Sequence, residues 1–226
     1  MDMMPPMITQ RLWFPHPRTA VVSGEFNGLV AVGGDLSIER LLLAYRSGIF
    51  PWSVDPITWW SPERRGIFEL DHFHVPRSLA RTLRKKPFEI TRDRAFRRVM
   101  EGCAAREEGT WIAPEFIEAY TRLHEAGHAH SIECWQGAEL VGGIYGVAAG
   151  GLFAGESMFH RASDASKIAL CHLVEHLRAR HFALLDIQML TDTTEALGAV
   201  ELSRAEYLRR LKKAVGLDVC FNTPSP

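Results

Sequence analysis

Asp186 and Gln188 lie two residues apart in the apolar run LLDIQML (184–190). Residues two apart in a strand point to one face, so a carboxylate and an amide share one side of an apolar segment. Burying both costs free energy unless each finds a partner. Either backbone groups at a strand end satisfy them, or the pair belongs to a site that handles a polar substrate. His124, His128 and His130 form H-x-x-x-H-x-H, residue types that suit a metal ion. Gly127, however, ends the preceding helix before His128, which breaks the i, i+4 geometry of a helical metal pair. No carboxylate stands at a convincing ligand spacing, so structural histidines and no metal are expected. Segment 72–98 carries Arg77, Arg81, Arg84, Lys85, Lys86, Arg92, Arg94, Arg97 and Arg98, opposed only by Glu89 and Asp93. Arg77, Arg81 and Arg84 fall on one helical face, either a solvated surface or a contact for a polyanion. Gly33-Gly34-Asp35 resembles part of a phosphate loop, but no Gly-Lys-Ser/Thr follows, which excludes a nucleoside triphosphate site of that kind.

The elements that must position these groups are legible in part. LVGGIYGVAAGGLFAGESMF (140–159) reads as a hairpin broken at Ala-Gly-Gly. Lys167–Arg180 reads as a helix, because Leu170, Leu173, Val174 and Leu177 keep the 0, 3, 4, 7 spacing of one face. Leu184–Leu190 follows as a strand. Residues 1–23 read as an extended arm packed on the body. Asp35 or Ser37 caps a helix with Leu41, Leu42 and Tyr45 inward, and Gly48 ends it. Phe50, Trp52, Trp59 and Trp60 crowd the next stretch, and a small N-terminal unit closes near Arg65. Pro114 opens a helix over 114–126. Ser203 and Glu206 form a capping box for a last helix with Leu208 and Leu211 inward. The tail 218–226 is expected as a strand or extended segment.

The chain has 226 residues, 46% hydrophobic and 23% charged, with a net charge of −1. That is a globular composition, and it excludes a chain basic all over while allowing a local basic face. The four cysteines, Cys103, Cys134, Cys171 and Cys220, are scattered, as expected for reduced thiols in the cytoplasm. No signal peptide or membrane span is expected.

The order hairpin, helix, strand, helix suggests the acyltransferase fold shared by N-acetyltransferases. Those enzymes bind the pyrophosphate of coenzyme A on a glycine-rich turn at the helix start. Here that turn reads RASDASKIA (161–169) and presents Asp164, which disfavours an acyl-CoA donor. The expected class is α+β: an N-terminal domain (1–65) and a GNAT-like (acetyltransferase-like) domain (66–226) with a mixed β-sheet flanked by helices.

Ordered segments then carry a more specific likeness: NGLVAVGGDLS (27–37), AYRSGIFPW (44–52), WWSP (59–62), EGCA (101–104), EEGTWI (107–112), AYTRLHEAGHAHSIE (119–133), LVGGIYGV (140–147), FAGESMF (153–159), ASK (165–167) and LLDIQ (184–188). Together they closely resemble the leucyl/phenylalanyl-tRNA–protein transferases of bacteria, from about Trp13 to Tyr207. The resemblance implies transfer of Leu or Phe from aminoacyl-tRNA to proteins with an N-terminal Arg or Lys, giving a destabilising N-terminus. It implies no metal, no other cofactor and no ATP.

The same resemblance assigns residues. Gln188 would hydrogen-bond the attacking amine, with Asp186 orienting it and balancing positive charge; alternatively both only position it while the tRNA ribose shuttles the proton. Glu156 would bind the amine or the arginine side chain, with a buried structural carboxylate as the alternative. A bulge at Gly155 is expected to bring Phe153 and Glu156 to one face. The donor side-chain pocket maps to Ile144, Phe153, Leu170, Leu173, Leu177 and Leu185, with plain core packing as the alternative for each, since these are also the core-facing positions of the helix and hairpin. Some relatives carry Met and Phe at 144, 173 and 177, and methionine is a candidate minor donor. The terminal adenosine would stack on Trp52 and Trp111, near Tyr45 and Phe50, while Arg77, Arg81, Arg84, Lys85 and Lys86 take the tRNA backbone. Thr193 stands where many relatives have His. An acyl-CoA N-acetyltransferase and a non-catalytic tRNA-binding protein are the competing readings.

Overall fold

A computed structural model describes residues 5–105 and 109–222. The first two residues of the EEGTWI match and the last four of the tail lie outside that description. The first unit contains β1 (Met7–Ile8), β2 (Leu29–Gly33), α1 (Ile38–Arg46), β3 (Phe50–Val54) and β4 (Ile57–Trp60). The remainder contains β5 (Arg64–Phe68), α2 (Arg77–Arg84), β6 (Glu89–Arg92), α3 (Phe96–Ala104), α4 (Pro114–Glu125), β7 (Ala129–Gln136), β8 (Glu139–Ala149), β9 (Leu152–His160), α5 (Ala165–Ala179), β10 (Leu184–Gln188), α6 (Asp192–Ala196), β11 (Val200–Ser203) and α7 (Arg204–Ala214). The strands make a four-stranded sheet, β1-β2-β4-β3, and a seven-stranded sheet, β11-β5-β10-β9-β8-β7-β6. The larger sheet is mixed: β9 and β10 run parallel and its other pairs antiparallel. This is the expected α+β arrangement, with hairpin, helix and parallel strand in the expected order. No helix among the described residues is long and apolar enough to cross a membrane.

Alternation along β8 divides the core into two layers. Tyr145 and Val147 enter a cluster with Tyr45, Phe116, Tyr120 and Tyr207 that draws on both sheets. Ile144 enters the opposite cluster, beneath Leu170, Leu173 and Leu177 of α5. Gly142 lets α5 begin close against the sheet, since a Cβ there would lie 2.5 Å from that of Ala165.

Local signals resolve in particular ways. Ser37, not Asp35, caps α1, accepting from Arg40 N at 3.4 Å. Asp35 accepts from Ser37 N at 2.9 Å and pairs with Arg40. Half of the capping box at α7 forms: Ser203 accepts from Glu206 N at 3.3 Å, while Glu206 turns to Arg209 and Arg210. The N-terminal arm is tied down by β1 pairing with β2 and by Phe14 against Trp59. The described tail forms no strand and instead buries Phe221 between the rings of His130 and His176.

Candidate active site

β10 lies between β9 and β5 and carries Asp186 into the first core layer, fully buried. Its Oδ1 accepts from Arg65 Nε at 2.8 Å and from Gln188 N at 2.9 Å. Its Oδ2 accepts from Arg65 Nη2 at 2.6 Å and from the Tyr207 hydroxyl at 2.7 Å. The bidentate Arg65 is itself held between the rings of Phe50 and Tyr207, 4.7 and 4.5 Å from their centroids. Burial pulls the Arg65 guanidinium down, and the Asp186 charge more than offsets this and keeps it above its usual range. Burial also raises the Tyr207 phenol, which keeps it a donor.

Gln188 follows a bulge in the β10–β5 pairing and takes a left-handed φ of 59°. Gly66 permits that close crossing, because a Cβ there would meet Met189 C at 2.9 Å. Asp186 fixes this kink through the Gln188 N–H, and the Gln188 side chain donates to Glu156 Oε1 at 2.8 Å. Burial pushes the Glu156 carboxyl up to about 8, against hydrogen bonds from Tyr45 and Tyr120. The Tyr120 hydroxyl lies 3.5 Å from Glu156 Oε2 and is bonded in turn to that of Tyr45.

The expected bulge occurs at Gly155, but its consequence differs. Gly146 pairs with Gly155 and Tyr145 with Ser157, so Glu156 is the extra residue. Glu156 therefore turns to the Tyr120 side, whereas Phe153 stays in the α5 layer beside Phe221. The extra residue follows Gly155 rather than preceding it, and this reverses the face.

Gln188 and Glu156 both line a cavity of about 900 Å³; Asp186 does not and stands behind Gln188. Trp52, Trp111 and Phe50 line the same cavity, and the two tryptophan rings lie 6.5 Å apart at 28°. Tyr45 is buried behind Glu156 and does not line the cavity. Of the six positions mapped to the donor pocket, Ile144 and Leu170 reach the cavity wall. Phe153, Leu173, Leu177 and Leu185 are packed in the core layer behind it. Thr193 is on the wall beside Thr191 and Thr194. Arg77, Arg81, Arg84, Lys85 and Lys86 are all exposed on and just after α2 and form no ion pair among the described residues. Arg94 and Arg97, by contrast, are paired with acidic neighbours.

Arg65, Tyr207 and Tyr120 escaped the sequence reading. The buried Asp186 was itself the signal, since such a carboxylate demands a cation. The histidines also gain a partner that was missed. Ligand atoms of His124, His130 and Asp93 lie within 4.8 Å of one another and could hold an ion. His130 Nδ1–H donates to Asp93 at 2.8 Å, and His124 Nδ1 bonds Ala129 O at 2.8 Å.

Two adjacent family models match the chain: leucyl/phenylalanyl-tRNA protein transferase over residues 67–212, and its N-terminal domain over residues 34–63. A leucyl/phenylalanyl-tRNA–protein transferase of Solidesulfovibrio magneticus is 53% identical over 89% of this chain and 82% of its own length. One from Enterobacter sp. is 54% identical over 88% and 85%. The chain belongs to the leucyl/phenylalanyl-tRNA protein transferase family. Among solved structures, a ribosomal-protein-alanine N-acetyltransferase from Brucella melitensis matches 48% of this chain and 84% of its own at 16% identity and a TM-score of 0.35. In this transferase family member, the segments quoted above as the likeness include the strands that carry Glu156, Asp186 and Gln188.

Proposed function

We propose that this chain transfers leucine or phenylalanine, with methionine as a minor donor, from aminoacyl-tRNA to the α-amine of proteins beginning with Arg or Lys. The product carries a destabilising N-terminus. Both substrates belong to the cytoplasm, and the reaction is placed there. The observation that carries the reading is that one cavity is lined by the hydrogen-bonded pair Gln188 and Glu156 and by the paired rings of Trp52 and Trp111. An amide and a carboxylate suit a cationic N-terminus, and paired indoles suit a base.

The amine attacks the ester carbonyl, a C–N bond forms, and the ester C–O bond breaks. The ribose hydroxyl of the terminal adenosine leaves with a proton. The ester is already activated, so no nucleotide is hydrolysed. An α-amine titrates at ~7.7–8.0, so a neutral fraction is available at physiological pH. Gln188 bonds the amine; burial holds the Glu156 carboxyl up at about 8, and a cationic acceptor beside it would draw it back toward the carboxylate. Asp186 is a positioning residue: its oxygens already accept from Arg65, Tyr207 and the Gln188 N–H, so it holds Gln188 rather than reaching the amine. Positioning alone can supply a large part of a rate enhancement. The leaving ribose then takes the amine proton within the substrates.

Acceptor competition tests the reading. With Leu-tRNA as donor, peptides beginning with Arg or Lys become labelled and a matched Asp peptide does not. Labelling of the Asp peptide instead would overturn the acceptor assignment.

A further inference from the structure

The cavity that holds Gln188 and Glu156 changes character along β9. At about 3.3 Å per residue, His160 lies ~13 Å beyond Glu156, and Arg161 follows it. His160, Arg161, Ser166 and Lys167 all line the cavity, and Glu156 is its one carboxylate among the described residues. Arg161 is exposed and forms no ion pair among the described residues. One of its N–H groups reaches Leu140 O at 3.4 Å and its guanidinium lies 5.7 Å from the Phe159 centroid, so it is held with donors to spare. Ser166 Oγ lies 3.5 Å from His160 Nδ1. Lys167 Nζ is 3.3 Å from Asp164 Oδ1, and Asp164 Oδ2 accepts from Thr82 on α2 at 3.3 Å. The basic helix α2 therefore abuts the start of α5, and cationic groups continue from it into the cavity.

We propose that Arg161, Lys167, His160 and Ser166 form a subsite for the phosphodiesters of the unpaired RNA segment that precedes the terminal adenosine of the donor. The proposal rests on the aminoacyl-tRNA reading of this cavity. Charge decides between the two substrates. The acceptor N-terminus is cationic, and the Arg161 and Lys167 rim would repel it. An arginine fork matches phosphate oxygens, and such bonds position RNA without reading its sequence. The rim is also well away from the amine site, as the nucleotides before the esterified one must be.

The test compares two donors: leucyl-adenosine, which has no phosphodiester, and leucyl-cytidyl-cytidyl-adenosine. The readout is the ratio of kcat/KM for the longer donor to that for the shorter one. In Arg161→Ala/Lys167→Ala this ratio falls about tenfold or more relative to wild type. The slope of log KM against log salt for the longer donor drops by about 0.7 for each phosphate that is no longer neutralised. Asp164→Asn acts in the opposite direction. Asp164 has a left-handed φ of 63°, which Asn tolerates, and the change releases Lys167 from its partner. The ratio then rises by about twofold, so a double variant that fails to fold still leaves a decisive result. An unchanged ratio in folded Arg161→Ala/Lys167→Ala and Asp164→Asn overturns the subsite. So does a rise confined to the KM of the Arg peptide, which would give the rim to the acceptor. A wild-type chain that uses neither donor nor Leu-tRNA contradicts the aminoacyl-tRNA reading itself. Wild-type use of both donors with no response in the variants contradicts the subsite alone.

Discussion

Replacing Arg65 with methionine isolates what the buried pair does. Asp186 is fully buried, and Arg65 supplies two of its hydrogen bonds, leaving the Tyr207 hydroxyl and the Gln188 N–H. Removing one partner of a buried pair costs about 3–5 kcal/mol, because the remaining charge is uncompensated. For a chain of 226 residues, each kcal/mol corresponds to roughly 2–4 °C in Tm, so Arg65→Met lowers Tm by roughly 6–20 °C. Adding Asp186→Leu removes the stranded charge and restores most of that loss, since apolar replacement of a buried pair is often neutral. Transfer does not return with stability, because the Gln188 N–H has lost the acceptor that fixes its left-handed turn. Thermal unfolding and initial rates of labelled leucine transfer, on the same preparations, read the two effects separately. A single variant melting within about 2 °C of wild type would refute the stabilising role. A double variant that transfers at the wild-type rate would refute the positioning of Gln188 by Asp186.

Glu156 titrates at about 8 when folded, above its ordinary 4.5. The folded chain thus binds more protons between those values, and stability falls as pH rises through them. Glu156→Gln removes that slope, so it melts above wild type at pH near 8 and converges with it near pH 4.5; a variant that melts lower at pH 8 would contradict the burial argument. Arg81→Ala weakens tRNA binding and reduces the salt slope of log KM by about 0.9, and a flat salt response in wild type would refute the backbone contact. Ile144→Ala changes the leucine-to-phenylalanine ratio because Ile144 is on the cavity wall, whereas Leu177→Ala chiefly destabilises, by about 2–5 kcal/mol. Competition between Leu-tRNA and Phe-tRNA, with urea unfolding beside it, separates them.

Asp186 and Gln188 were legible because a carboxylate and an amide in an apolar run stand out, but strict alternation expected one shared face, and the bulge between them sends only Gln188 to the cavity. Arg65 was not, since its pairing with Asp186 spans 121 residues and depends on β5 entering the sheet beside β10. Asp93 was missed as the partner of His130 for the same reason, 37 residues separating them. α5 was readable from its apolar period, but Asp164 in a left-handed conformation starts it at Ala165, two residues before Lys167. The face of Glu156 turned on whether the extra residue lies before or after Gly155, a one-residue matter that reverses a side chain. Mapping the donor pocket by position could not separate wall from core. Leu170 and Leu173 share one apolar face of α5, yet of the two only Leu170 borders the cavity. Trp52 and Trp111 were paired by the family resemblance, and folding sets their rings near-parallel on one wall.

The most direct measurement supplies purified chain with an Arg-initiated peptide and, in parallel, leucyl-tRNA or acetyl-CoA, without ATP and with chelator present. Leucine transferred from the tRNA, and no acetyl group from coenzyme A, is the expected result. Acetyl transfer would make the chain an acetyltransferase, and bound tRNA with no transfer from either donor would make it a binding protein.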